Sequence, residues 1–189
     1  MKSRVALLLA DGFEEAEAII ILDILERVNV SVTTLACKDE RVLSSYHNVT
    51  VTANALLAHH METLFDAVIL PGGPQGTINL AENQDVIDFI RKHDEKGKWI
   101  CPICSAAARV LAPHKLLKGR RYVCSGTLSE TVTDGIYVDA PVVEDGNLIS
   151  GQGLGASFDF AFYLGLRLTG DEAKVQRQAK HIYHKLIEQ

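Results

Sequence analysis

Two cysteines three residues apart, Cys101 and Cys104 in the stretch Ile100-Cys101-Pro102-Ile103-Cys104-Ser105, are the side chains best suited to chemistry. A Cys-x-x-Cys can be a redox dithiol, half a metal site, or one nucleophile with a bystander. Residues 99–103 read as a strand and 105–111 as the start of a helix, so Cys104 falls at the turn between them. A thiol there faces unpaired backbone N–H groups and the positive end of the helix, which are expected to lower its pKa. Cys101 lies inside the strand, which argues against a thioredoxin-type pair with both thiols at a helix start. A structural zinc ion needs four ligands. No second cysteine pair exists, His59 and His60 are adjacent and point to two sides, and His181 and His184 are far along the chain. No metal is expected. From the residues alone, Cys104 is either an exposed nucleophile on a strand-to-helix elbow or a buried small hydrophobe.

A second feature is the helical pattern over 14–28. Glu17, Ile21, Ile24, Leu25 and Val28 share one face, which puts Glu17 on the stripe that meets the sheet. A carboxyl there is either a first-turn acid or a desolvated group that stays protonated and can donate to a thiolate. Glu14 and Glu15 read as first-turn acids that complement the helix dipole. Leu70-Pro71-Gly72-Gly73 follows an apolar strand, and its amides form either a tight turn or an oxyanion site. Gly151, Gly153 and Gly155 lack the full spacing of a dinucleotide loop, so no cofactor is expected.

These residues need a scaffold. Strand patterns at 5–9, 32–35, 67–70, 99–103, 122–124, 137–143 and 148–150 alternate with helical patterns at 14–28, 85–93, 105–111, 156–166 and 171–186. The alternation predicts an α/β fold, a mostly parallel sheet with helices on both faces, and a ligand at the carboxyl ends of its strands.

The chain of 189 residues, 47% hydrophobic and 23% charged, suits a single domain spanning 1–189. A net charge of −5 argues against nucleic acid, and the densest basic run, Lys118-Gly119-Arg120-Arg121, reads as a solvated loop. The apolar run 5–10 is too short for a signal-peptide core and no stretch has the length of a membrane span, so a cytoplasmic protein is expected. Four cysteines in a chain of this size read as free thiols rather than a disulfide framework.

The order of motifs resembles one family. "ADGFEEAEA" after the first strand, "VILPGG", "ICSAA", "LLKGRR", "YVDAPVVEDGNLISGQG" and "GASFDFA" occur as in the DJ-1/PfpI/ThiJ superfamily, and are most similar to its DJ-1/YajL branch. The resemblance covers essentially the whole chain. It implies a flavodoxin-like three-layer sandwich with a nucleophile elbow, usually a homodimer. It implies Cys104 as nucleophile, Glu17 as its acid, and the amides of Gly72, Gly73 and Ser105 as oxyanion donors. Two segments depart from the family's pattern. Ser125 stands where family members often carry His or Tyr, and His47 falls roughly where the branch commonly has Arg near the dimer interface. Cys124 falls near the site and is a candidate for a disulfide with Cys104. The peptidase branch has His directly after the nucleophile. Ser105 takes that place here, which argues against a peptidase.

Two functions follow from the resemblance. One is cofactor-free glyoxalase- or deglycase-type chemistry on reactive dicarbonyls such as methylglyoxal, with Cys104 attacking and Glu17 shuttling a proton. It needs a further acid–base group, for which His47 of a partner subunit is a candidate. The other is a non-catalytic redox sensor or chaperone-like stress protein, whose Cys104 oxidises to sulfenic or sulfinic acid. The expected partner is thus a small carbonyl compound or an oxidant, with neither nucleic acid nor membrane.

Overall fold

The structure, a computed structural model, describes residues 2–186. Seven strands form the central sheet: β1 (Arg4–Leu9), β2 (Ser31–Ala36), β5 (Ala55–Leu56), β6 (Ala67–Leu70), β7 (Trp99–Pro102), β10 (Val142–Asp145) and β11 (Leu148–Gly151). Their order is β10-β11-β7-β6-β1-β2-β5, with every pairing parallel except β10 with β11. Two small ribbons accompany it: β3 (Val42–Ser44) with β4 (Thr50–Thr52), and β8 (Arg121–Tyr122) with β9 (Ile136–Tyr137). The fold is α/β, as the alternating patterns predict, and flavodoxin-like, as the resemblance implies.

β1 shows how the layers are built. Val5, Leu7 and Leu9 point to one face and Ala6, Leu8 and Ala10 to the other, the period of two that a doubly covered strand needs. On the first face lie α1 (Glu15–Arg27) and α4 (Ser157–Thr169), which bring Ile21, Ile24, Leu25, Phe160 and Leu164. α2 (Pro74–Glu82) and α3 (Gln84–Glu95) cover the second face with Leu80, Val86, Ile87, Phe89 and Ile90. Burying one such side chain contributes about 1.5–3 kcal/mol. α5 (Glu172–His181) is the last helix among the described residues.

Several sequence expectations are corrected. The segment 122–124 is strand only at Tyr122, and 137–143 is two strands separated by a turn that contains Pro141. The helix expected over 171–186 ends at His181, and Tyr183 follows with φ 61° in the left-handed region. His184 then turns back and pairs with Asp159 at 2.9 Å, so the helical spacing of the two histidines is not kept. The helix expected from Ser105 is a π-helical turn over Ala107–Leu111. The basic run is not a free loop: Lys118 and Arg120 both bind the buried carboxylate of Asp94. Among the described residues, no helix is long and apolar enough to cross a membrane.

The chain runs outward from β1 to β2 and β5, then returns to β6 on the other side of β1. This reversal opens a crevice at the carboxyl ends of β1 and β6, where ligands bind in open α/β sheets.

Candidate active site

Three loops meet at that crevice. The first leads from β1 into α1. Glu14 caps the helix, its carboxylate accepting the N–H of Glu17 at 2.6 Å. The cap fixes where the first turn begins, and so which residue faces inward. That residue is Glu17, which is wholly buried although it carries a carboxyl group.

The second loop follows β6. Gly72 donates its N–H to Glu17 Oε2 at 2.7 Å. Gly73 has φ 103°, a conformation that favours glycine, and hands over to Pro74 at the first position of α2. Thr77, fully buried in that first turn, secures the bend by donating its hydroxyl to Gly73 O at 2.8 Å. A methyl group on Gly72 would lie 2.6 Å from Cys104 Cβ, 2.8 Å from Glu17 Oε2 and 2.9 Å from Cys104 Sγ. Only glycine fits between the carboxyl group and the sulfur.

The third loop follows β7. Cys104 has φ 60°, in the left-handed region that a side-chain-bearing residue enters only when its surroundings hold it there. Its N–H donates to Gly151 O at 3.0 Å and its carbonyl accepts the Ser125 N–H at 3.1 Å. The sulfur lies 3.4 Å from Ser125 Oγ, faces the Ser105 N–H and touches the Glu17 carboxyl group. Cys104 is partly exposed, whereas Cys101, three residues earlier on β7, is fully buried.

Charge in this cluster follows from burial. Desolvation pushes the Glu17 carboxyl up to about 7, with the Glu14 charge adding to it and the Gly72 N–H opposing it. Burial also pushes the Cys104 thiol up to about 11, and the Glu17 charge raises it further. The expected lowering at the elbow is thus reversed: the helix end offers one N–H, and that does not outweigh desolvation beside a carboxylate. The two groups are coupled, since the charge on Glu17 opposes ionisation of the thiol. A proton on Glu17 removes the charge that adds to burial in raising the thiol. One carboxyl oxygen, Oε1, makes no geometrically complete hydrogen bond with the protein.

The amides expected to hold an oxyanion are largely committed elsewhere. Gly72 N–H serves Glu17, and Ser105 N–H serves the sulfur. Gly73 N–H alone has no protein acceptor among the described residues. Ser105 is buried, with its hydroxyl 3.4 Å from that of Thr77. Ser125 does stand beside the sulfur. His47 is not among the groups around Cys104 in this chain; its Nδ1 pairs with Glu15 at 2.7 Å on the surface. Cys124 is a free thiol buried in the α2–α3 layer, while Cys104 packs against the α1–α4 layer. The two thiols are not bridged. The sequence reading missed Thr77 and Ser150, whose buried hydroxyls support the loops; no local pattern distinguishes them from ordinary core residues.

The sequence model of the DJ-1/PfpI family matches residues 3–165, and the chain belongs to that family. It is 35% identical to Protein dj-1beta of Drosophila melanogaster over 182 residues, 95% of this chain and 96% of that protein. It is 32% identical over 168 residues to Protein DJ-1 homolog B of Arabidopsis thaliana, covering 89% of this chain but only 38% of that protein's length. The crystal structure of an alanine-for-cysteine mutant of a DJ-1 superfamily protein from Salmonella typhimurium has a TM-score of 0.96 and 61% identity, covering 97% of this chain and 99% of that one. The "Glutathione-independent glyoxalase DJR-1.2" of Caenorhabditis elegans is 30% identical over 173 residues, 90% of this chain and 91% of its own.

Proposed function

We propose that this protein is a cofactor-free, cysteine-dependent enzyme acting on small reactive dicarbonyls, converting methylglyoxal and water to lactate. The observation that carries the reading is the buried Glu17 carboxyl held against the Cys104 sulfur by the Gly72 N–H. The relative of Caenorhabditis elegans named a glyoxalase supports it.

The chemistry is written around that pair. Sulfur attacks the aldehyde carbon while the thiol proton passes through Glu17 to the aldehyde oxygen, giving a hemithioacetal. The Glu17 carboxylate then takes the proton on that carbon, and the electron pair moves through a new carbon–carbon double bond onto the ketone oxygen, giving an enediolate. Glu17 returns the proton to the neighbouring carbon while the hydroxyl proton of the first carbon passes to the neighbouring oxygen, which leaves a lactoyl thioester on Cys104. Water hydrolyses the thioester, releasing lactate and the free thiol. A carboxyl group with a pKa of about 7 suits a proton shuttle at neutral pH, because it can both give and take. The Gly73 N–H is the remaining donor for the developing oxyanion.

The test is methylglyoxal consumption and lactate formation by the wild type, Cys104→Ser and Glu17→Gln. Turnover in the wild type and its loss in both variants is expected. An inactive wild type would sink the enzyme reading and turn attention to oxidation of Cys104 by peroxide. We also read the protein as a homodimer, which sedimentation of the pure chain would test.

A further inference from the structure

We propose that Ser125 is a positioning residue that holds the Cys104 sulfur in its attacking orientation and keeps it hydrogen-bonded in both protonation states. This rests on Cys104 being the reactive group, but not on methylglyoxal being the substrate.

The argument is geometric. Ser125 grips Cys104 at two points, its N–H on the Cys104 carbonyl at 3.1 Å and its Oγ 3.4 Å from the sulfur. The first contact fixes the peptide of a residue whose φ of 60° is strained, and the second fixes the direction of its side chain. Ser125 is itself held in register. Two residues earlier, Val123 donates its N–H to Ser150 Oγ at 3.0 Å, and Ser150, fully buried on β11, lies 3.3 Å from Val143 O of β10. The segment 123–125 is therefore stitched to the sheet at one end and to the elbow at the other. Behind it stands Gly153, where an added methyl group would come within 3.8 Å of Ser125 Cβ.

The hydroxyl is suited to this place. The Ser105 N–H can only donate to the sulfur, and an ionised Glu17 can only accept from it. A hydroxyl does both: it accepts from the thiol, then rotates to donate to the thiolate. Ser125 thus favours the thiolate whatever the state of Glu17, and opposes the burial that raises the thiol.

The experiment is the rate of Cys104 alkylation by iodoacetamide against pH, in the full chain, for wild type, Ser125→Ala and Ser125→Thr. In this probe reaction the thiolate displaces iodide, so the profile reads ionisation without requiring turnover. The expected result is a Ser125→Ala profile moved upward by about one pH unit, roughly tenfold slower near neutral pH, with Thr restoring the wild-type profile. An unchanged profile overturns the proposal. So does a loss of rate equal at every pH, or a shift that Thr does not reverse. The shift without methylglyoxal turnover would leave Ser125 in its role and remove the proposed substrate; turnover without the shift would do the opposite.

Discussion

The two ends of the sheet hold their ionisable groups differently. At the amino ends, carboxylates are paired with cations. Buried His93 accepts the Phe65 N–H at 3.0 Å through Nε2 and contacts Phe89 O at 2.8 Å through Nδ1. Asp66 receives the Arg4 N–H and Lys98, both at 3.0 Å. Asp94 gathers Arg120, Lys118 and Asn147. At the carboxyl ends, the buried Glu17 carboxyl sits against a thiol rather than a cation, and Cys104 holds a strained φ. Satisfied groups rigidify a fold, whereas a half-satisfied, strained cluster kept in place by its surroundings has unused capacity for a ligand. The same sheet thus separates what keeps the protein folded from what lets it react.

The largest test of that separation sets Cys104→Ser against Asp94→Ala. Cys104→Ser should remove turnover altogether and shift the thermal midpoint by no more than a few degrees. Asp94→Ala should cost about 3–5 kcal/mol in denaturant unfolding, because Arg120 is left buried without its carboxylate. Its turnover per folded molecule should stay within about twofold, the range of an additive, distant site. Lost activity in folded Asp94→Ala would show that the two ends are coupled.

How much of this was legible depends on whether the cause is local. The stripe of Glu17, Ile21, Ile24 and Leu25 could be read because a helix repeats its burial every three to four residues. β6 was read to the residue, since Ala67–Leu70 is apolar throughout and stops at Pro71. The β3–β4 ribbon escaped because its three-residue strands are half exposed and show little contrast. Arg120 looked like solvated charge because its partner, Asp94, lies on α3 and not nearby in the sequence. The thiol shift was read with the wrong sign for the same reason. The helix end is visible locally, but the desolvation and the Glu17 carboxylate arrive through the fold.

A smaller effect sharpens the comparison through pH. Glu17 has its folded pKa raised from 4.5 to about 7, so its stabilising contribution is full below 4.5 and lost as pH rises through 7. The loss is at most about 3 kcal/mol. Burial lowers His93 from 6.5, so its contribution is present above 6.5 and lost as pH falls through the lowered value. The two ends should therefore tilt stability in opposite directions. Denaturant midpoints measured from pH 4.5 to 7.5 should show Glu17→Gln gaining on the wild type as pH rises. His93→Gln, although less stable than the wild type, should lose less stability on acidification. Parallel curves for wild type and Glu17→Gln would mean that Glu17 does not carry the shifted proton.

The smallest effect concerns His47. Its imidazole pairs with Glu15 at 2.7 Å, and its side chain is 66% exposed. Solvent screens such pairs, so His47→Ala should change stability by no more than about 0.5 kcal/mol. The proton shuttle is written with Glu17 alone, so turnover should stay within about twofold, and the pH profile of thiol alkylation should not move. A tenfold loss of turnover at unchanged stability would require the imidazole to reach a thiol that it does not face within its own chain. A second copy of the chain would then have to supply it. Mixing Cys104→Ser with His47→Ala chains would decide the matter, because activity would return only in mixed dimers where an intact His47 faces an intact Cys104.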